Sequence, residues 1–122
     1  MAIFIVITSD PELAAAAQRG FHPDDECRIV GDWRLGLDQC SDADLIFVDL
    51  ISTLVEPHKI SGYEAFAAAK MAHKTVATVP LVLISPPAGY ELDFMAGYPN
   101  FVLANVQRPV DYKVFRRAST WV

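Results

Sequence analysis

The side chains in this sequence that could take part in chemistry are polar groups at, or just after, the ends of apolar runs. They are Thr8, Ser9, Asp49, Ser85 and Arg108. A carboxylate can act as a nucleophile or as a ligand for a hard metal ion, whereas hydroxyl groups and a guanidinium bind oxyanions. Which of these roles the chain can fill depends on how its secondary structure positions the five side chains.

Several common kinds of site are absent from the sequence. No GxSxG motif surrounds Ser85, so a hydrolase nucleophile is not expected there. No glycine-rich loop follows the first apolar run, which argues against nucleotide binding of the P-loop or Rossmann type. Cys27 and Cys40 lack CxxC spacing, and the three histidines are dispersed. We therefore predict reduced, structural thiols and no metal site.

The size and charge of the chain limit its class. It has 122 residues, 52% of them hydrophobic and 20% charged, which predicts one globular domain over residues 1–122. The formal net charge of −5 opposes binding to nucleic acid, and the densest basic cluster is confined to Lys113, Arg116 and Arg117. The first apolar run is too short to span a membrane and has no basic flank of a signal peptide. We therefore expect a cytoplasmic protein that contacts neither membrane nor nucleic acid.

Apolar runs of strand length recur along the chain and predict a parallel sheet. Each run is nearly continuous rather than alternating, as in strands that helices cover on both faces. The four strong runs and a weaker fifth are Ile3–Ile7, Leu45–Leu50, Leu81–Ile84, Phe101–Val106 and Cys27–Val30.

Helical segments are predicted between these runs. They are residues 11–20 after an Asp10 cap, a short segment at 33–39, an amphipathic segment at 61–74 with Lys70 and Lys74 on its solvent side, and segments at 88–96 and 111–121. Strand and helix thus alternate about five times, which predicts an α/β fold with a doubly wound, five-stranded parallel sheet. The residues that follow the strands should meet at the carboxyl edge of this sheet, where such folds have their functional crevice.

Four segments, in this order and spacing, are similar to the motifs of one known family. Residues 44–50 (DLIFVDL) match a strand that ends in an aspartate, and 60–64 (ISGYE) match a glycine-containing turn before a helix. Residues 79–85 (VPLVLIS) match a strand with a terminal Ser or Thr, and 107–110 (QRPV) match a Lys-Pro motif. Over essentially its whole length the chain resembles the receiver (CheY-like) domain of response regulators in bacterial-type two-component signalling. This resemblance implies the flavodoxin-like (βα)5 fold.

The resemblance also implies a role for each strand-end residue. In such a domain an aspartate accepts a phosphoryl group, an acid pair after the first strand holds Mg²⁺, and Ser/Thr and Lys side chains bind the phosphoryl oxygens. By this resemblance Asp49 is the candidate phosphoacceptor, and Ser85 and Arg108 are its candidate phosphate-site neighbours. Thr8 and Ser9 take the positions of the acid pair.

The chain departs from the family pattern at these positions. The hydroxyl groups of Thr8 and Ser9 are poor substitutes for carboxylates as Mg²⁺ ligands, so the pair is degenerate. Asp10 comes one position later and is interpreted as the cap of the first helix. Arg108 replaces a lysine and changes the reach and geometry of the cation.

Further departures predict a fixed conformation. Asn105 takes a position that is usually aromatic in the family, and Pro86-Pro87 should stiffen the loop after the fourth strand. A salt bridge between Asp49 and Arg108 could hold one state permanently.

The leading hypothesis is therefore an atypical, or pseudo-, receiver that signals by protein–protein contact, without enzymatic activity and without a cofactor. Its partner would be another signalling protein, such as a histidine kinase or an output protein. The candidate interface is Tyr90, Phe94, Tyr98 and Phe101, and a homodimer through the face formed by the fourth helix, fifth strand and fifth helix is the other expected contact.

Two alternatives remain open. One is a working receiver phosphorylated on Asp49, which would need Mg²⁺. The other is a small-ligand binder of the flavodoxin-like class.

Overall fold

The apolar runs form five parallel strands in one sheet. The computed structural model describes residues 1–93 and 102–122. The strands are β1 (Ile3–Ile7), β2 (Glu26–Val30), β3 (Leu45–Asp49), β4 (Leu81–Ser85) and β5 (Ala104–Gln107). Their order across the sheet is β2-β1-β3-β4-β5, and all four neighbouring pairs are parallel. This order is the flavodoxin-like one, so the predicted fold class is confirmed.

Helices connect the strands. They are α1 (Pro11–Gly20), α2 (Trp33–Gly36), α3 (Leu50–Thr53), α4 (Ser61–Ala72) and α5 (Tyr112–Ala118), with short 3₁₀ helices at Leu37–Cys40, Val76–Thr78 and Ser119–Trp121. Carboxylates cap α1, α2 and α5, since Asp10, Asp32 and Asp111 each accept a hydrogen bond from a backbone N–H of the first turn. Within the described ranges, no helix combines the length and apolar character needed to cross a bilayer.

Two hydrophobic cores lie on opposite faces of the sheet. Because side chains alternate along a strand, Phe4 and Val6 of β1 pack on one face and Ile5 and Ile7 on the other. The first face carries stacked and tilted aromatic rings of Phe4, Phe21, Phe47 and Phe115, covered by α1 and α5. The second face packs against α4. Both cores hold the central strands rigidly, which fixes the positions of the side chains at their ends.

Two helical predictions differ from the structure. The helix predicted at 88–96 is wrong over residues 88–93, where 88 and 89 form a turn and 90–93 are irregular; its remaining residues lie outside the described ranges. Gly89 has a φ of 88°, in the left-handed region, and this interrupts a right-handed helix at the start of the predicted segment. The short helix α3, directly after Asp49, is absent from the sequence prediction. In addition, the fifth strand begins at Ala104 rather than at Phe101.

Lys70 was predicted on the solvent side of its helix, and this is wrong. The side chain is buried, and its ammonium group donates hydrogen bonds to the carbonyl oxygens of Val79, at 2.8 Å, and Ala77, at 3.3 Å. The long aliphatic stem fills space in the core while the head satisfies backbone groups before β4. Lys74 is exposed, as predicted.

Gly62 offers a test of how closely α4 packs against the end of α3. A Cβ atom at this position would lie 2.3 Å from the carbonyl oxygen of Thr53 and 2.9 Å from Cα of Leu54. We expect Gly62→Ala to lower the free energy of unfolding by about 1–3 kcal/mol, because backbone must move to admit the methyl group. Urea denaturation measures this change.

Gly31→Ala is the matched control, since a Cβ at Gly31 meets nothing within 4 Å. Its effect should stay within about 0.5 kcal/mol. Equal stability of the two variants would contradict the close packing of α4 on the end of α3.

Candidate functional site

The strand register brings the predicted polar residues to one edge of the sheet. Ile7 is paired with Val48, and Asp49 with Ile84. Thr8, which follows β1 directly, therefore lies level with Asp49, the last residue of β3. Ser85 is paired with Gln107, which places Arg108 just beyond the same edge. Parallel strands present their carboxyl ends together, and this is the crevice expected from the sequence.

Asp49 is the centre of this group and is almost fully buried, with 1% of its surface exposed. Three donors meet at its Oδ2 atom: Arg108 Nη2 at 2.5 Å, Ser52 Oγ at 2.7 Å and Thr8 Oγ1 at 2.9 Å. The Oδ1 atom accepts a longer bond from Arg108 Nε, at 3.3 Å. Burying an ionised carboxylate is costly unless it is paired and hydrogen-bonded, and here both conditions are met.

Arg108 also binds a second carboxylate. Its Nη1 atom donates to Asp10 Oδ2 at 2.9 Å, so one guanidinium bridges Asp49 and Asp10. Burial disfavours the charged guanidinium, but the hydrogen bonds to Asp49 and Asp10 outweigh it and raise the pKa of Arg108 above its ordinary value. The same hydrogen bond from Arg108 lowers the pKa of Asp10. The salt bridge suggested by the sequence is therefore present, with Asp10 as an additional partner.

Asp10 combines two roles. Its Oδ1 atom accepts from the backbone N–H of Glu12, at 2.9 Å, which caps α1 as predicted. Its Oδ2 atom is left for Arg108. The sequence interpretation gave Asp10 the capping role alone, because a contact between residues 10 and 108 depends on the tertiary fold.

Ser52 was missed by the sequence analysis. It lies in α3, three residues after Asp49, and its hydroxyl donates to the Asp49 carboxylate while accepting from the backbone N–H and the hydroxyl of Ser9, at 3.0 and 3.2 Å. Ser9 itself is exposed and, among the described residues, joins the network through Ser52. Ser52 lies one helical turn after Asp49, and this spacing could have indicated it. The spacing is informative only if the short helix α3 is predicted first.

Ser85 is separated from the carboxylate network. Its hydroxyl donates to the side-chain oxygen of Asn105, on the neighbouring strand β5. Its carbonyl oxygen accepts from the backbone N–H of Arg108, at 3.1 Å. Of the two predicted phosphate-site neighbours, Arg108 contacts Asp49 directly, whereas the Ser85 hydroxyl donates to Asn105.

The segment between α3 and α4 is connected to the loop after β4 by hydrogen bonds and a ring contact. The ring of His58 stacks on that of Tyr90 with centroids 4.5 Å apart, and the backbone N–H of His58 donates to the Tyr90 hydroxyl at 3.2 Å. Asp93 closes the connection, because its carboxylate accepts from the Ile60 N–H at 2.8 Å and its own N–H donates to the His58 carbonyl at 2.9 Å. Of the predicted interface residues, Tyr90 is half-buried in this connection. Phe94, Tyr98 and Phe101 lie outside the described residues.

Among the described residues, the cysteines and acids do not assemble into a recognisable metal site. In residues 1–93 and 102–122, no group of three or more His, Cys, Asp or Glu side chains is placed to hold a metal ion. Cys27 and Cys40 are free thiols, and burial raises the pKa of each to about 11. Both thiols are therefore protonated at neutral pH.

The coupling between Asp49 and Arg108 can be measured by a double-mutant cycle. We expect Arg108→Met to lower the free energy of unfolding by about 3–5 kcal/mol, because it leaves a buried carboxylate without its counter-ion. Asp49→Asn should be destabilising as well, and the double variant should lose at least about 1 kcal/mol less than the two single losses together. Chemical denaturation of the four proteins gives this interaction energy.

Arg34→Met is the control for loss of an arginine, since Arg34 is exposed and has no ion pair within the described part of the chain. Its guanidinium lies over the Trp33 ring, 4.5 Å from the centroid, so the loss of stability should be no more than about 1 kcal/mol. Simple additivity of the Asp49 and Arg108 variants would show that the pair does not act as a unit.

Asp10 predicts a specific dependence of stability on pH. Its pKa in the folded protein lies below the ordinary value of 3.8, so its contribution is complete above that value and is lost as the pH falls through the lowered folded pKa. Asp10→Asn keeps a good capping residue but removes the charge. Between about pH 4 and pH 2 the variant should therefore lose less stability than the wild type. Parallel slopes in urea unfolding across this range would exclude the ion pair with Arg108 as the cause.

Comparison with known proteins was informative only at the level of structure. No family model and no curated protein matches the sequence. The fold is similar to that of the chemotaxis response regulator CheY4 of Vibrio cholerae, with a TM-score of 0.74 and 14% identity over 99% of this chain and 98% of that one.

Two further structures agree with this similarity. A protein from Chloroflexus aurantiacus assigned as a response regulator gives a TM-score of 0.66 and 14% identity, covering 98% of this chain and 94% of that one. The Mn²⁺-bound form of response regulator Rcp1 gives 0.67 and 14%, covering 99% and 94%. The chain therefore has the CheY-like fold of response-regulator receiver domains.

Proposed function

We propose that this protein is an atypical receiver, a pseudo-receiver of a two-component-type signalling system, which acts by binding other proteins and does not undergo Mg²⁺-dependent phosphorylation. The observation that carries the proposal is the environment of Asp49. The side chain that corresponds to a phosphoacceptor is buried and already neutralised by Arg108.

A phosphoacceptor carboxylate must present an oxygen atom to the phosphorus of a donor, in line with the leaving group. Asp49 Oδ2 is surrounded by the donors of Thr8, Ser52 and Arg108, and only 1% of the residue is exposed. Hydrogen bonds to all three groups would have to break, and the guanidinium would have to leave, before the oxygen could attack. This arrangement supports a structural role for the carboxylate.

The residues also fit Mg²⁺ poorly. This ion prefers octahedral oxygen ligands that include carboxylates, but the acid-pair positions carry Thr8 and Ser9. The two carboxylates that remain, Asp10 and Asp49, are bridged by Arg108, whose positive charge would repel an incoming cation. Rcp1, which shares the fold, has been seen with Mn²⁺ bound. In this chain, the Arg108 guanidinium supplies positive charge at the carboxyl edge of the sheet.

The neighbouring loops support a fixed conformation. The Ser85 hydroxyl is held by Asn105, and the loop after β4 is stiffened by Pro86-Pro87 and fastened through Tyr90 to His58. A receiver that responds to phosphorylation needs two arrangements of these loops with similar free energy. Contacts that hold one arrangement favour constitutive binding of a partner over switching.

The partner is proposed to be another signalling protein, such as a histidine kinase or an output protein, met in the cytoplasm. A working receiver phosphorylated on Asp49 is the competing function. It requires Arg108 to leave the carboxylate when a metal ion and a phosphodonor bind.

Treatment with acetyl phosphate and Mg²⁺ separates these two functions. Intact mass spectrometry should show no phosphoryl increment, and beryllium fluoride with Mg²⁺ should leave the amide NMR spectrum unchanged, because the Asp49 oxygens are occupied. A receiver domain with an intact acid pair, treated in parallel, shows that the reagents are active. A phosphoryl increment that disappears in Asp49→Asn would overturn the proposal.

Paired variants test whether Arg108 is the obstacle to metal binding. Ser9→Asp adds a carboxylate at an acid-pair position, and Ser9→Asp/Arg108→Lys also shortens the cation that occupies the site. Titration calorimetry with MnCl₂ should detect binding by the double variant and none by Ser9→Asp alone. Equal binding by both would show that Arg108 does not keep metal ions out.

A further inference from the structure

We propose that an exposed surface, formed by Arg19 and Arg116 at the ring of Tyr112 together with Lys113 and Arg117 of α5 and termed the basic surface, binds an acidic segment of a partner protein. The proposal deepens the proposed function by giving the chemistry of the partner, and it rests on that function only in assuming that the chain acts through protein contact. Its evidence comes from helices α1 and α5, away from Asp49.

The close approach of α1 and α5 builds the basic surface. A Cβ atom at Gly20 would lie 2.4 Å from the carbonyl oxygen of Tyr112 and 2.7 Å from Cβ of Phe115, so the end of α1 can lie against α5 only because residue 20 is glycine. As a result the guanidinium of Arg19 lies 4.0 Å from the centroid of the Tyr112 ring, and that of Arg116 lies 5.1 Å from it. Two arginines from different helices thus share one aromatic ring.

The charges of the basic surface are not neutralised within the described part of the chain. Arg28 and Arg108 have carboxylate partners there, whereas Arg19, Lys113, Arg116 and Arg117 have none within ion-pair distance. All four side chains are exposed. They are four of the ten basic residues in a chain with 15 acids, so the positive charge is concentrated here.

Helix electrostatics explain this clustering only in part. Arg116 and Arg117 lie in the last turn of α5, where the helix dipole favours cations. Lys113 lies in the first turn of α5, where the dipole disfavours a cation, whereas Arg19 lies in the last turn of α1, where the dipole favours one. Lys113 and Arg117 are also four residues apart on one helix, a spacing at which like charges repel. An anionic partner would relieve both costs.

The chemistry of the surface favours a short acidic protein segment over a long polyanion. Arginines bind carboxylates with paired hydrogen bonds, and stacking on Tyr112 restricts Arg19 and Arg116 before a partner arrives, which lowers the entropic cost of binding. Outside the basic surface the chain carries an excess of acids, which would repel nucleic acid or an anionic membrane extending beyond it.

A fluorescein-labelled decaglutamate peptide is the probe, with binding followed by fluorescence anisotropy at low and high salt. The wild type should bind saturably, with an affinity that falls as salt rises. Arg116→Glu/Arg117→Glu should weaken binding by at least about tenfold, since reversed charges face the acidic peptide. The neutral variant Arg116→Gln/Arg117→Gln should give an intermediate loss, which guards against misfolding of the charge-reversed protein.

Arg34→Glu/Lys74→Glu is the matched control, because it makes the same change in net charge at two exposed residues outside the basic surface. It should change affinity by no more than about twofold. An equal loss in both double variants overturns the proposal, as does the absence of saturable binding by the wild type. Binding of single-stranded DNA or phosphatidylserine vesicles in preference to the peptide overturns it too.

The outcomes remain separable from those of the proposed function. If the protein binds the peptide at the basic surface and is also phosphorylated by acetyl phosphate, the acidic-partner proposal stands and the pseudo-receiver proposal is wrong. A chain that does neither retains the pseudo-receiver assignment and loses the acidic partner.

Discussion

One guanidinium between two carboxylates is the interaction on which the functional edge of this protein depends. Asp49 lies at the end of a strand buried on both faces, where an ionised carboxylate without a counter-ion would be costly. Arg108 supplies that counter-ion and at the same time holds Asp10 at the start of α1. The ends of β1, β3 and β5 are therefore tied together by a single side chain, and any change at one of them affects the other two.

This arrangement changes what the fold can do at its carboxyl edge. A crevice in an open α/β sheet offers strand ends from which groups can converge on a ligand. Here the groups converge on one another: hydroxyls of Thr8 and Ser52 complete the shell of Asp49, and Ser85 is directed to Asn105. The loops above are joined through His58 and Tyr90. A site satisfied from within favours a stable scaffold, and under the proposed function the binding of a partner falls to its outer surfaces.

The sequence was sufficient for the fold because the evidence for it is local and periodic. Continuous apolar runs of strand length and the alternation with capped helices predicted the parallel sheet, and the strand ends indicated Asp49, Ser85 and Arg108. What the sequence did not predict depends on tertiary contacts. The burial of Lys70 depends on hydrogen bonds to the carbonyl groups of Ala77 and Val79, seven and nine residues later. The second role of Asp10 depends on Arg108, which lies 98 positions later. Ser52 lies in a helix too short to have a periodic pattern, and the left-handed φ of Gly89 interrupts the helix predicted from residue 88.

The permanence of the ion pair at Asp49 can be tested on the side chain of Arg108 itself. The Nε–Hε signal of Arg108 and the carboxyl carbon of Asp49 can be observed by NMR while MgCl₂ is added. If the guanidinium is the permanent counter-ion of the site, the Arg108 signal stays protected from solvent exchange and neither resonance shifts in a saturable way. Loss of that protection together with a saturable shift of the Asp49 carbon would show that Mg²⁺ displaces Arg108 and that the ion pair is not a fixed part of the site.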